Sequence, residues 1–182
     1  MDQIKEKKPK RFNSKGKGNS FENQVAKKLS TALAPLKFIR TPGSGARVGG
    51  KNFQAYGELF GQEALNIFVG DVVPVNQKEA KVTFNFSIEC KSYAKSDSFE
   101  IMVAGNANVF KWMQESVVDA SKINKIPLLI FKWNRSSIFV AGLSKDMNIP
   151  PKMTIAQNGT SIDIFLLEDL LPKKDFWYTS LQ

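Results

Sequence analysis

Lys81-Val82-Thr83-Phe84-Asn85-Phe86-Ser87-Ile88-Glu89-Cys90-Lys91 alternates apolar and polar side chains without a break. Val82, Phe84, Phe86, Ile88 and Cys90 fall on one side of an extended chain, and Thr83, Asn85, Ser87, Glu89 and Lys91 on the other. That period of two is what a half-buried strand requires. The stretch therefore predicts one strand, with Glu89 and Lys91 sharing its polar face. A carboxylate there can hold a hard divalent cation through oxygen, and an ammonium two residues along can orient an attacking water or stabilise charge on a phosphate. An ordinary solvated strand face also carries Glu-x-Lys, so the meaning of the pair depends on its surroundings.

Upstream, Gly70-Asp71-Val72-Val73 offers a second carboxylate 18 positions before Glu89. Gly70 and Pro74 suggest that residues 67–75 form a short, bent strand, joined to the next by a polar turn at Asn76-Gln77-Lys78-Glu79. Such a hairpin brings Asp71 towards Glu89. Downstream, Val109, Met113, Val117 and Ala120 recur at helical spacing, Pro127-Leu128-Leu129-Ile130-Phe131 reads as a buried strand, and Asn134-Arg135 turns into Ile138-Phe139-Val140. Helix, strands, helix and strand in that order predict an α/β fold, a mixed β-sheet flanked by helices. Gln114 on the second helix can reach a substrate or simply face solvent, and Trp112 and Trp133 read as packing residues. Asn158-Gly159 between apolar alternations predicts a hairpin over residues 153–167, which the Pro150-Pro151 pair marks as an appendage. Leu166 to Leu171 and Phe176-Trp177-Tyr178 leave an apolar C-terminus that covers the core or meets another subunit.

Composition excludes many rival chemistries. The 182 residues contain no histidine, so a His-dependent triad, a His-metal nuclease finger and a Cys/His zinc site are all ruled out. Cys90 is the only cysteine, which rules out an intrachain disulfide and leaves a reducing, cytoplasmic setting as the expectation, in a prokaryotic cell or a phage-infected host. No apolar run approaches the length of a membrane span, and no secretory signal is evident. With 42% hydrophobic residues the chain can bury one core, so residues 19–182 read as a single domain. The net charge is +9, of which +5 lies in the first 20 residues. Residues 1–18 are expected to be a basic, flexible arm. Its charge suits a polyanion, because neutralised phosphates release counterions, although a solubilising tail has the same composition.

The first helix is expected to begin near Asn19 or Ser20, with Phe21, Val25, Leu29, Ala32 and Leu33 as its apolar stripe. Asn19 and Glu22 stand three apart like a capping box, so Glu22 has a structural reading as well as a chemical one. Pro35 ends the helix, and Leu36-Lys37-Phe38-Ile39 reads as a short strand. The loop Arg40-Thr41-Pro42-Gly43-Ser44-Gly45-Ala46-Arg47 sets two arginines around small residues that can approach a phosphate backbone closely.

Four blocks together resemble the archaeal-type Holliday junction resolvases of the PD-(D/E)XK nuclease superfamily. They are Lys17-Gly18-Asn19-Ser20-Phe21-Glu22, Phe38-Ile39-Arg40-Thr41-Pro42-Gly43-Ser44-Gly45-Ala46, Gly70-Asp71 and Ile88-Glu89-Cys90-Lys91-Ser92. The resemblance spans roughly residues 15 to 133 and is more specific than Glu-x-Lys alone. It implies a restriction-endonuclease-like fold and an active site of Glu22, Ser44, Asp71, Glu89 and Lys91. It also implies metal ligation by Asp71, Glu89, the backbone carbonyl of Cys90 and Glu22, with Mg2+ as the cofactor and Mn2+ as a substitute. Thr41 competes with Ser44 as the loop hydroxyl. Arg40, Arg47, Lys15, Lys17, Lys51 and Lys95 are the candidate DNA contacts. The implied activity is paired nicking of four-way DNA junctions by a homodimer, with branched DNA as partner and no membrane. Two departures from the family pattern stand out: an apparent insertion near residues 47–68 and the C-terminal extension, both of which suit a phage-encoded member. A restriction- or repair-type DNA endonuclease of the same superfamily is the nearest alternative, and a non-catalytic DNA-binding module is the rival from another class. A basic RNA-associated protein ranks last, since no aromatic-rich basic strand for base stacking is present.

Overall fold

Phe21, Val25, Leu29 and Leu33 recur every fourth residue, and in the computed structural model they are the buried stripe of helix α1 and the turn that follows it. The structure describes residues 14–41, 69–98, 100–101, 104 and 107–181. Helix α1 runs Ser14–Ala32, so residues 14–18, expected in the arm, are already helical. Asn19 and Glu22 consequently lie inside the helix, and the capping-box reading is corrected. Two glycines and two lysines in the first five helical residues concealed the true start, because Gly is a poor helix former.

Strands β1 (Phe38–Arg40), β2 (Val72–Pro74), β4 (Phe86–Tyr93), β5 (Ile126–Trp133), β6 (Phe139–Leu143), β7 (Met153–Gln157) and β8 (Thr160–Leu166) make one seven-stranded sheet. Its order is β1-β2-β4-β5-β6-β8-β7. Only the β4–β5 pairing is parallel, with Glu89 beside Leu129 and Lys91 beside Phe131. That join is spanned by the crossover helix α3 (Asn108–Ser121). The sheet is therefore mixed, as expected, and a helix covers each face.

The even-numbered residues of β4 look towards α1. Phe86, Ile88 and Cys90 pack there with Leu128, Ile130 and Phe165. Across the sheet, Leu129, Phe131 and Ile164 pack beneath Trp112 and Met113 of α3. Glu89, Lys91 and Tyr93 are on this second face by the strand's period of two. The alternation read in the sequence has thus become the division between two cores.

The run 81–91 is nevertheless two strands. Helix α2 (Gln77–Ala80) replaces the expected turn, and Lys81 closes it in the left-handed region at φ 52°. Strand β3 (Val82–Phe84) then pairs with β9 (Tyr178–Ser180) in a separate two-stranded sheet. The break falls at Asn85, whose N–H donates to the Trp177 carbonyl at 3.0 Å and whose side-chain amide donates to the Phe176 carbonyl. Period-two patterning cannot register such a change of partner, because both strands face the same core.

The hairpin β7–β8 forms at Asn158-Gly159 as expected, with both residues at positive φ. It is the outer edge of the main sheet rather than an appendage, since β8 pairs with β6 over five registered positions from Phe139↔Leu166 to Leu143↔Ile162. Two short helices follow, α4 (Leu167–Leu170) and α5 (Lys174–Trp177). Trp177 is fully buried, and its indole N–H donates to the Leu170 carbonyl at 2.9 Å. Its ring stacks on Phe84, so the C-terminus closes the α1-side core.

Candidate active site

Gly70 delivers Asp71 to its place. It sits at φ +94°, and a Cβ there would come within 2.9 Å of the Ile88 carbonyl, so neither the conformation nor the space admits a side chain. The next residue is then tied by three hydrogen bonds to β4 on one side and to the end of β1 on the other. The Asp71 N–H donates to the Ile88 carbonyl at 2.7 Å, its carbonyl accepts from the Thr41 N–H at 2.9 Å, and its Oδ2 accepts from the Cys90 N–H at 2.9 Å. Asp71 is 8% exposed. The expected approach of Asp71 to the Glu89 strand is therefore real, and the Cys90 amide is its contact.

That contact also orients Cys90. In an extended strand the N–H and C=O of one residue point to the same edge, so the Cys90 carbonyl is turned towards Asp71, beyond the end of the β2 ladder at Val72↔Ile88. The Cys90 thiol itself is buried, and burial followed by the neighbouring carboxylates pushes its pKa well up. It is a neutral core side chain, and what it offers a cation is backbone oxygen.

On the α3 face, Lys91 Nζ lies 2.9 Å from Glu89 Oε1 and 3.3 Å from Glu115 Oε2. Burial alone would lower the lysine, but Glu89 and Glu115 outweigh it and hold the ammonium above its usual range. Glu89 moves in the unexpected direction for a salt-bridged acid: burial first, and the charge of Asp71 second, raise it to about 7 against the pull of Lys91. Glu22 on α1 is also raised, by burial and then by Asp71, while Arg40 opposes the shift from 3.5 Å. Asp71 thus stands close enough to both Glu22 and Glu89 to repel each of them.

This donor set fits a hard divalent cation. Two carboxylates and a backbone carbonyl are oxygen ligands of the right kind, and their mutual repulsion is relieved by positive charge between them. Among the described residues no group of three or more Asp, Glu, Cys or His side chains forms a metal cage. Asp71, Glu89 and the Cys90 carbonyl are accordingly the inner candidates, with Glu22 beside them. Arg40, expected to meet DNA, pairs with Glu22. Ser44, Arg47, Lys51 and the 47–68 insertion lie outside the described residues, as does the side chain of Lys15. Lys17 and Lys95 are exposed. The Thr41 hydroxyl is buried next to Asp71 without a hydrogen-bond partner among the described residues.

Glu115, rather than the expected Gln114, is the α3 side chain that meets the site. Gln114 instead lines a groove of 770 Å³ between α3 and the β7–β8 hairpin, whose lining includes none of the site carboxylates. Glu115 and Asp119, four apart, flank the buried stripe of Trp112, Ser116 and Ala120 on the side facing Lys91 and Glu89. An acidic i,i+4 pair beside an apolar stripe is the signal that was available. As expected, Trp112 is a packing residue, 4% exposed.

A Glu-x-Lys strand beside an aspartate at the end of its antiparallel neighbour, in a mixed sheet covered on both faces, is the arrangement of the PD-(D/E)XK nucleases. Residues 13–163 match the model of a family described as "Phage putative PDDEXK endonuclease", and the chain belongs to that family. Among solved structures it is similar to a Holliday junction resolvase from the archaeal hyperthermophile Archaeoglobus fulgidus, at 14% identity over 85% of this chain and 95% of that one, with a TM-score of 0.41. So low a score and identity give that likeness no weight for function. A search of curated proteins finds no match. Among the described residues no helix is long and apolar enough to cross a membrane.

Proposed function

We propose that this endonuclease is a Mg2+-dependent, structure-selective enzyme that resolves four-way DNA junctions by paired nicks. The observation that carries the catalytic part is the clip between the Asp71 carboxylate and the Cys90 amide, which holds one acid against the strand bearing Glu89 and Lys91. A divalent cation bound by Asp71, Glu89 and the Cys90 carbonyl supplies charge neutralisation and a more acidic water. Glu89 is in contact with Lys91 before any phosphate arrives, so the ammonium is already aimed at the site. Lys91 then orients the attacking water or stabilises charge on the phosphate as the water oxygen bonds to phosphorus and the bridging P–O bond breaks. Glu115 is a second carboxylate on Lys91, 3.3 Å away, and would keep the ammonium paired if Glu89 served as a cation ligand. Glu22 adds negative charge beside the cation site, and Arg40 balances it.

The preference for a junction rests on the four sequence blocks, and the dimer on symmetry: two matched nicks across a junction require two sites related by a twofold axis. The net charge of +9 suits a polyanionic partner. Mn2+ is expected to replace Mg2+, since both accept oxygen donors. The test is Mg2+-dependent cleavage of an end-labelled four-way junction beside a duplex of the same sequence, with Glu89→Ala as control. Symmetric nicks in the junction alone support the reading. Cutting of both substrates moves it to a restriction- or repair-type endonuclease, and binding without cutting by the unaltered protein moves it to a DNA-binding module.

A further inference from the structure

Tyr93 ends β4 two residues beyond Lys91, on the same face of the strand as Glu89 and Lys91. It is 49% exposed, which is unusual for an aromatic ring so close to a deep core. One face of the ring is taken: Trp112 stacks against it with centroids 4.8 Å apart and planes 21° from parallel. The exposure therefore belongs to the opposite face and the rim. Behind Trp112 the line of rings continues through Phe131 to Trp133 and Phe139, so Tyr93 is the solvent-facing end of an aromatic row anchored in the core. Its backbone is fixed as well, because it pairs with Trp133 and its carbonyl accepts from the Asn134 N–H.

We infer that Tyr93 is a stacking platform for one unstacked DNA base beside the phosphate handled by Glu89 and Lys91, an inference that rests on the nuclease reading above. Two residues of strand advance about 6.6 Å, close to the spacing of neighbouring nucleotides in an unstacked strand, so Tyr93 stands about one nucleotide from Lys91. A flat, propped ring suits a base of any identity, because every base offers a π face. Lys95, two residues beyond Tyr93, and Lys111, which precedes Trp112 on α3, are exposed cations in the same stretch of chain, of the kind that holds a strand's phosphates. Paired bases in an intact duplex have no face to offer, so the platform favours a branch, flap or bulge over plain duplex.

The experiment uses the full chain with a four-way junction and a flapped duplex carrying 2-aminopurine at unpaired or branch-adjacent positions, with Ca2+ in place of Mg2+. The unaltered protein is expected to quench the probe, and Tyr93→Ala to lose the quench and bind these branched DNAs about tenfold more weakly. Tyr93→Phe and Tyr93→Trp retain both, and the affinity of all four proteins for intact duplex is equal. The inference is overturned if Tyr93→Ala quenches and binds like the parent, if Tyr93→Phe is as impaired as Tyr93→Ala, or if duplex binding falls in parallel. Cleavage of the same DNAs in Mg2+, with Glu89→Ala as control, reads the nuclease assignment separately: its absence would sink that assignment and leave the quenching result standing on its own.

Discussion

At the scale of single residues, Lys91 and Glu89 carry opposite expectations. Lys91 is held by two carboxylates and donates no metal ligand, so Lys91→Ala should bind junction DNA as well as the parent while cleavage falls about a hundredfold or more. Equal losses of binding and cleavage would count against the assigned role. Glu89 brings a pH dependence. Its carboxyl keeps a proton in the fold up to about 7, whereas the unfolded chain releases it near 4.5. Between those values the unfolded state binds fewer protons than the native one, so the stability of the metal-free protein should fall as pH rises through the window. Bound cation stabilises the ionised form, so Mg2+ should raise Tm at pH 8 and have little effect at pH 5. The groups facing Glu89 are Asp71 and Asp119, which push in the same direction, and Lys91, which opposes them. Thermal melts across this range with and without Mg2+ would decide it, and a pH-independent Mg2+ effect would be incompatible with Glu89 as a ligand. Cleavage should rise with pH through about 7, and higher Mg2+ should move that rise to lower pH.

At the scale of elements, the C-terminal strap is the part whose value can be measured most directly. Trp177 has no exposed surface and stacks on Phe84, which belongs to the run that leads into the Glu89 strand. Trp177→Ala should cost about 3–5 kcal/mol in chemical denaturation, the usual range for a large buried aromatic. A loss under about 1 kcal/mol would mean that the strap is peripheral. The same element shows what could be read from the chain beforehand. The apolar residues of the strap predicted burial, and Asn158-Gly159 predicted the hairpin, because local composition determines both. The split at Asn85 was invisible, since the partners of β3 and β9 are about 95 residues apart in sequence and the alternation passes through unbroken. The start of α1 was hidden by Gly16 and Gly18, because glycine is a poor helix former and masks a helical pattern. The approach of Asp71 to Glu89 was expected from a hairpin and is reached differently, since α2 and β3 stand between β2 and its antiparallel partner β4. Glu115 belonged to an acidic i,i+4 pair visible in the sequence, but its contact with Lys91 depends on how α3 is rotated on the sheet.

At the scale of the whole molecule, charge and sheet divide the work. More than half of the net positive charge lies in the first 20 residues, and residues 1–13 precede the first described helix. Deleting those 13 should weaken DNA binding and flatten its salt dependence, each lost phosphate contact lowering the slope of log K against log salt by about 0.9. An unchanged slope would mean that the segment does not touch phosphates. The seven-stranded sheet, by contrast, should be indifferent to that deletion, and unfolding midpoints of the two proteins should agree.

The Thr41 amide held on the Asp71 carbonyl has a consequence for how such a protein can diversify. Thr41 and Asp71, on either side of sequence positions 42–68, are pinned together by the β1–β2 pairing and this bond. A chain tethered at both ends can lengthen cheaply, since doubling a loop costs only about 0.6 kcal/mol in closure entropy. The joint works as a socket: the register of the acid beside it is set by the bonds at Thr41, Ile88 and Cys90, so changes in length between positions 42 and 68 should leave Asp71 in place.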